Sequence, residues 1–251
     1  DFFRSIVGAL LYASTFTRPD ISFAVSALTR HVHDPTNAHV RAARRVLAYL
    51  VNTKTRGVTY RADASDQLTG YSDAGWASNP GRKSTSGFVF MMAGGAISWC
   101  SKQQSTVALS STESEYVALS WTSREAVWLQ RLKACMSTST EMSAAPVTLF
   151  EDNTAAALWA QNTRNHQRQK HIDICHHYIR DLVTQGVVQV VYIPTKRQLA
   201  DCLTKPLGMD LFEPLTAAVM GERALMITQD EMTGTNVAHD PARHVHTKTP
   251  A

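Results

Sequence analysis

The 251-residue sequence is 44% hydrophobic and 18% charged, with a formal net charge of +4. That is the make-up of an ordinary folded chain, and it excludes collagen-like, mucin-like and wholly disordered readings. No apolar run approaches the roughly 18 to 20 residues that cross a bilayer, and the first residues lack a basic stretch leading into a long apolar one, so neither a membrane partner nor secretion is expected.

Cys100, Cys135, Cys175 and Cys202 lie far apart without a C-x-x-C pair, which points away from a zinc ribbon or a disulfide framework and towards a reducing compartment. The pattern begins at Asp1, with no Met, as expected of a piece of a longer product. Residues 1–60 carry 8 Lys+Arg against 3 Asp+Glu, residues 61–210 carry 14 against 13, and residues 211–251 carry 3 against 5. The basic first block suits a polyanion partner; a solvated helix face accounts for it equally.

Residues 19–31 read as a helix, with Pro19 in its first turn, Asp20 favoured by the dipole, and Ile21, Val25 and Leu28 at helical spacing. A second amphipathic helix covers about 37–51, with Val40, Ala43, Val46, Leu47 and Leu50 on one side and Arg41, Arg44 and Arg45 elsewhere. From Leu68 the period changes. Leu68–Ser72, Ser86–Met91 and Ala96–Cys100 are β-rich and separated by turn chemistry at Asn79-Pro80-Gly81 and Gly94-Gly95.

Ser110-Ser111-Thr112 offers caps to a long helix through Glu115, Leu119, Val127, Leu129 and Leu132, after which 137–145 reads as a loop. A strand at Val147–Phe150, helices at Thr154–Gln161 and His171–Thr184, a β-branched strand at Val187–Ile193 and a last helix at Lys196–Leu203, stopped by Pro206, complete a mixed α/β layout. Beyond residue 232 the composition reads as a flexible tail.

Four acids stand out by position. Asp73 closes the first strand, Asp152 closes the fourth, Glu115 lies in an otherwise apolar stretch of the long helix, and Asp201 lies on the last helix among apolar neighbours. Gathered carboxylates raise one another's pKa and persist only with protons or a cation, and hard oxygen ligands favour Mg²⁺ or Mn²⁺. Two such ions about 4 Å apart can promote phosphodiester hydrolysis. Each acid taken alone is an ordinary capping or surface group; the set of four is not.

From about Leu68 to Leu207 the chain resembles the ribonuclease H domain of Ty1/copia-type retrotransposon polyproteins. The resemblance is carried by Tyr71-Ser-Asp-Ala-Gly-Trp76, Ser84-Thr-Ser-Gly-Phe88, Gly95-Ala-Ile-Ser-Trp99, Ala108-Leu-Ser-Ser-Thr-Glu-Ser-Glu-Tyr116, Glu151-Asp-Asn153, Lys170-His-Ile-Asp-Ile174 and Ala200-Asp-Cys-Leu-Thr-Lys-Pro-Leu207, in that order. Thr17-Arg-Pro-Asp-Ile21 and Ala42-Ala-Arg-Arg-Val-Leu-Ala-Tyr-Leu50 resemble the segment joining the reverse transcriptase to that domain.

The resemblance implies an RNase H-like fold: a mixed five-stranded sheet flanked by helices, after an N-terminal helical segment. It implies a reverse-transcriptase remnant over 1–62, the RNase H domain over 63–208 and an extension over 209–251. It implies that Asp73, Glu115, Asp152 and Asp201 bind two Mg²⁺ ions, with Mn²⁺ able to substitute and no small-molecule cofactor. One ion would lie near Asp73 and Asp152, helped by Asp201, and the other near Asp73 and Glu115. The implied reaction is hydrolysis of the RNA strand of an RNA:DNA hybrid, leaving 5′-phosphate and 3′-hydroxyl ends.

Ser111, Thr112 and Thr154 align with positions whose polar groups contact the hybrid, and Arg164, Arg168 and Lys170 would face its backbone. The implied partners are the hybrid, the reverse transcriptase palm and fingers, and other polyprotein parts, in a cytoplasmic virus-like particle or in the nucleus.

Two departures stand out. Many members have Asp-Ala-Asp-Trp where this chain has Asp73-Ala-Gly75-Trp76, and the loop before the last helix, Ile193-Pro-Thr-Lys-Arg197, lacks a His found in some relatives. No Tyr-x-Asp-Asp motif occurs, so polymerisation is excluded. The competing expectation is a catalytically silent nucleic-acid-binding or spacer module from a decayed or domesticated element. His166, His171, Cys175, His176 and His177 do not complete a zinc-ligand spacing, and the five tryptophans are expected mostly in the core.

Overall fold

The computed structural model describes residues 2–136, 145–161 and 173–222, the side chains of 173–177 excepted. The stretch 137–144, most of the expected loop, and the tail from 223 lie outside it.

The chain opens with α1 (Phe2–Phe16), within the expected N-terminal helical segment; it buries Phe3, Val7, Leu10 and Ser14 at helical spacing. The helix expected over 19–31 divides into a 3₁₀ turn at Pro19–Ile21 and α2 (Ser22–Thr29), with Pro19 heading the tight turn. In α3 (Asn37–Asn52) Ala43 is buried, with Val40, Val46, Leu47 and Leu50 packed beside it against Val7, Leu10 and Val25. Arg41, Arg44 and Arg45 are exposed, as the periodicity requires.

These three helices are tied together by a buried fork. Arg18 Nε and Nη2 donate to the two Asp20 oxygens at 3.0 and 2.7 Å, Nη2 and Nη1 also reach Thr53, and the Tyr49 hydroxyl donates to Asp20 at 2.8 Å. Trp99 Nε1 donates to the Ser14 carbonyl at 2.7 Å and fastens the helical layer to the edge of the sheet.

The sheet holds β1 (Thr69–Gly75), β2 (Thr85–Met92), β3 (Gly95–Gln103), β4 (Val147–Glu151) and β5 (Val188–Tyr192) in the order β3-β2-β1-β4-β5. The first three strands run as antiparallel neighbours, while β4 lies parallel to β1 and β5 parallel to β4. This is the mixed five-stranded sheet flanked by helices that the resemblance implies. β1 runs two residues past Asp73 and pairs Gly75 with Thr85, so Asp73 lies inside the strand rather than closing it.

The two faces carry separate cores. One packs Phe88, Phe90, Val147, Leu149 and Val190 under α4 (Ser111–Met136), α5 (Thr154–Gln161) and α6 (Asp173–Thr184). The other packs Tyr71, Val89, Phe150 and Val191 against Leu199, Cys202 and Leu203, backed by Leu215, Ala218 and Val219 of α7 (Met209–Val219). The expected last helix at Lys196–Leu203 is instead two 3₁₀ turns, Thr195–Arg197 and Leu199–Leu203, because Gln198 between them is extended in ψ (100°). Trp99, Trp121 and Trp159 are half-buried and pack against the two cores, as expected of most of the tryptophans, whereas Trp76 and Trp128 are 50% and 55% exposed.

Removing one partner of a buried, hydrogen-bonded ion pair costs about 3–5 kcal/mol because the other charge is left uncompensated. Asp20→Ala is therefore expected to lower stability by about 3 kcal/mol in chemical denaturation. An unchanged midpoint would show that the fork is solvated rather than buried.

Candidate metal centre

The parallel pairing of β1 with β4 sets Tyr71 opposite Phe150. Carried two residues further, the same register sets Asp73 beside Asp152, just past the end of β4. Alternation along a strand sends successive side chains to opposite faces. Tyr71 and Phe150 face the 3₁₀ turns, whereas Val147 and Leu149 face α4. Asp73 shares Tyr71's side and Glu151 shares Leu149's.

α4 then supplies Glu115 on its own side of the sheet, one turn after a capped start. Glu113 donates its backbone N–H to Ser110 Oγ at 3.1 Å and returns its carboxylate to the Leu109 N–H at 2.8 Å. On the opposite side the turn Leu199–Leu203 supplies Asp201.

Two overlapping acidic groups result. The carboxylate oxygens of Asp73, Asp152 and Asp201 lie within 4.8 Å of one another, and so do those of Glu115, Glu151 and Asp152. Asp152 belongs to both because it lies beyond the strand end, where neither face confines it. All four acids singled out in the sequence are therefore brought together. Glu115 shares its group with Glu151 and Asp152, and Asp73 also acts on it electrostatically.

The positions are enforced by close backbone approach. A Cβ on Gly75 would stand 2.5 Å from the Thr204 carbonyl oxygen, and one on Gly87 would stand 2.6 Å from Thr204 Cγ2. Glycine at 75 leaves room for the Asp201 turn to rest on β1. Thr204 Oγ1 donates a short hydrogen bond to Asp73 Oδ2. Lys205 Nζ stands 2.9 Å from Asp201 Oδ1 and 3.7 Å from Asp73 Oδ1. Gln198, fully buried, donates through Nε2 to the Ser72 carbonyl at 2.8 Å and accepts the Ala200 N–H at 3.2 Å, so it spans from β1 to the turn.

Thr204, Lys205, Gln198 and Glu151 were not singled out as site residues. Thr204 and Lys205 stand in the motif around Asp201, and the signal for Glu151 is its strand parity with Val147 and Leu149.

Burial is the first cause of the charge perturbations. It raises Asp73, with repulsion from Asp152 adding, while Lys205 and Thr204 oppose. Glu115 is raised well above the ordinary carboxylate range by burial and then by Glu151, Asp73 and Asp152. Glu151 rises likewise through burial, Asp152 and Asp73. Asp201 is pushed up to about 7 by burial and Asp73, against the pull of Lys205. Burial would lower the Lys205 ammonium, but attraction to Asp73, Asp201 and Asp152 prevails and its pKa is raised.

The donor set fits a divalent cation. Every candidate ligand is a carboxylate oxygen, which suits Mg²⁺ or Mn²⁺, and Oε2 of both Glu115 and Glu151 is buried without a hydrogen-bond partner. Ser111 and Thr112 open α4 one turn before Glu115, and Thr154 opens α5 two residues after Asp152. Ser111 and Thr154 are exposed and Thr112 is half-buried, so all three flank the acids. Arg164, Arg168 and Lys170 lie outside the described residues, as do His166 and His171 and the side chains of Cys175, His176 and His177.

No protein-family model matches the chain. It is 39% identical over 221 residues, 86% of its length, to the retrovirus-related Pol polyprotein from transposon RE1 of Arabidopsis thaliana, and it spans 15% of that relative. Half of the chain, 128 residues, is 49% identical to the secreted RxLR effector protein 161 of Plasmopara viticola and covers 90% of it. Among solved structures, a ribonuclease H1 isolated from compost by a metagenomic approach aligns at 18% identity with a TM-score of 0.43, over 55% of this chain and 93% of that one.

The raised Asp201 has a pH signature. The folded state keeps a proton that the unfolded chain releases near pH 4, so this contribution is complete below pH 4 and is lost as pH rises through about 7. Chelated protein is expected to lose stability over that window by up to about 1.4 kcal/mol per pH unit for each such acid. Mg²⁺ should raise the melting temperature more at pH 8 than at pH 5, and melts giving equal gains at both would contradict a cation held by these acids. Gly75→Ala should push Thr204 from Asp73, costing about 1–3 kcal/mol and weakening Mn²⁺ binding. Gly57→Ala, with nothing within 4 Å of the added carbon, is the control expected to leave Mn²⁺ binding unchanged.

Proposed function

The chain belongs to the retrovirus-related Pol polyproteins of copia-type transposons, and from that premise we propose that it is their ribonuclease H part, a divalent-cation-dependent endonuclease acting on the RNA strand of RNA:DNA hybrids. The observation that carries this reading is the convergence of Asp73, Asp152 and Asp201, from two strands and a distant turn, within 4.8 Å, with Glu115 entering from the helix on the other face. Asp73, Glu115 and Asp201 are buried and Asp152 is half-buried, and a buried carboxylate persists only when protonated, paired or bound to a cation.

Asp73, Asp152 and Asp201 would hold one divalent cation, and Glu115 with Asp152 a second. Two such ions, Mg²⁺ or in its place Mn²⁺, supply activation of a water and stabilisation of the leaving oxygen. The chain's own residues do the rest. Thr204 orients the Asp73 carboxylate, Lys205 holds Asp201 against it, and Gln198 keeps the turn fixed to β1. Ser111, Thr112 and Thr154 stand where a strand crossing the acids would pass, and their hydroxyls can hydrogen-bond a sugar–phosphate backbone and its 2′-hydroxyl; Arg164, Arg168 and Lys170 would add phosphate contacts. Cleavage would leave 5′-phosphate and 3′-hydroxyl ends.

The chain spans about 15% of the length of the first polyprotein it matches. In the whole protein, residues 1–62 would be the end of the reverse transcriptase, residues 63–208 the nuclease and residues 209–251 its extension. The polymerase palm and fingers would be its partners, in a cytoplasmic virus-like particle or the nucleus.

A second reading is a catalytically silent nucleic-acid-binding or spacer module from a decayed or domesticated element; what supports it is that half of this chain covers 90% of a short relative, so the segment also occurs outside a long polyprotein. A labelled RNA:DNA hybrid incubated with the purified chain separates the two. The nuclease reading expects Mg²⁺-dependent cuts with 5′-phosphate ends, abolished by EDTA, by Asp73→Asn and by Asp152→Asn. Binding in EDTA with no cutting under Mg²⁺ or Mn²⁺ would establish the silent module instead, and cutting that survives Asp73→Asn would refute the assignment of the acids.

A further inference from the structure

Glu151 is the one acid of the two groups that the four-acid assignment leaves without a role. It is the last residue of β4, fully buried, and its parity with Val147 and Leu149 turns it towards α4 rather than towards the turn that carries Asp201. Its carboxylate lies within 4.8 Å of the ligand oxygens of both Glu115 and Asp152. Oε1 accepts the Asn153 N–H at 3.1 Å, while Oε2 has no partner. Glu115 mirrors it with a buried, unpartnered Oε2 of its own.

Two orphaned carboxylate oxygens facing a shared neighbour are a poor way to fill a core. An apolar side chain at 151 would pack there without cost, whereas a carboxylate left short of a partner is expensive to bury.

We infer that Glu151 is a fifth ligand-bearing acid, offering Oε2 to the divalent cation held by Glu115 and Asp152. The inference rests on the nuclease reading, since Glu151 would have nothing to bind without a cation at its neighbours. Charge supports it. Asp73, Glu115, Glu151, Asp152 and Asp201 bring five negative charges, and Lys205, ion-paired to Asp73 and Asp201, returns one. The remainder is the charge that two divalent ions neutralise. Lys205 stands on the side of the first group, so the excess negative charge lies where Glu151 and Glu115 meet. Glu151 would be a third carboxylate on that side, offered from the face that α4 covers.

The test is a Mn²⁺ titration of the full chain without nucleic acid, following free Mn²⁺ by electron paramagnetic resonance. It compares wild type, Glu151→Gln, Glu151→Asp and Glu115→Gln, each checked for folding by circular dichroism and metal-free melting. Glu151→Gln keeps the shape and removes the charge; Glu151→Asp keeps the charge and withdraws the oxygen by one methylene. Wild type is expected to bind two ions. Both Glu151 variants should weaken one of them by at least about tenfold, the same one that Glu115→Gln weakens, and leave the other intact.

Wild-type affinity for both ions in either Glu151 variant, with Glu115→Gln weakened, overturns the role of Glu151 and leaves the nuclease reading standing. Wild-type affinity in all three variants overturns both, and a wild type with no second ion overturns the five-acid site.

Discussion

Five carboxylates crowd the ends of β1 and β4, and their mutual repulsion is the constraint to which the rest of the site responds. Two like charges 4 Å apart repel by about 4 kcal/mol at an effective dielectric constant of 20, and a folded domain has only about 5–15 kcal/mol of net stability. A few unrelieved pairs would consume it. The protein relieves part of the strain itself, through the Lys205 ammonium, the Thr204 hydroxyl and the N–H groups of Ala74 and Asn153. What remains is taken up by protons or by cations. The raised carboxylates describe the first state, and the orphaned oxygens of Glu115 and Glu151 the need for the second.

The place of the cluster follows from the sheet. β1 is flanked by an antiparallel β2 on one side and a parallel β4 on the other, so the chain leaves the end of β1 in one direction and returns beside it from the other. Such a switch point opens a crevice at the strand ends, where no crossover covers the backbone. Strand parity then divides the acids between the faces, Asp73 with the turns and Glu151 with α4. Asp152, one residue past the pairing, serves both. A shift of one residue in the β1–β4 register would send Asp73 to the α4 face and dismantle both groups at once.

How much of this could be read from the residues depended on whether the signal was local. Asp73, Glu115, Asp152 and Asp201 were readable because each stands in a motif, and the sheet because its strands alternate and are separated by turn chemistry. Glu151 stands beside Asp152 in the same motif, but its closeness to Glu115 appears only when β4 is placed under α4. Lys205 and Thr204 needed the turn to be folded on Gly75 before they pointed anywhere. The turn reads as a helix from its residues, and the break at Gln198, extended in ψ, coincides with a side-chain hydrogen bond to the distant Ser72 that no sequence neighbour announces. α1 falls in the expected N-terminal helical segment, but its bounds are not legible because Phe2, Leu11, Tyr12 and Phe16 are exposed on it, which blurs the apolar stripe. α7 carries Pro214 inside, a residue that ordinarily argues against a helix.

α7 also bears on the site itself. Its Leu215, Ala218 and Val219 pack behind Leu199, Cys202 and Leu203, so the turn that presents Asp201 is clamped between Gly75 and Gly87 in front and α7 behind. α7 is in turn held by Arg56, which pairs with Glu213 on it and Glu222 beyond it and donates to the hydroxyl of Tyr49, the residue that completes the Arg18–Asp20 fork. One continuous chain of charged hydrogen bonds thus runs from the first helices to the last. Carboxylates that repel are held within 4.8 Å of one another only by a scaffold that resists their repulsion, and in this fold that resistance is drawn from both ends of the described chain, well outside the segment that bears the acids.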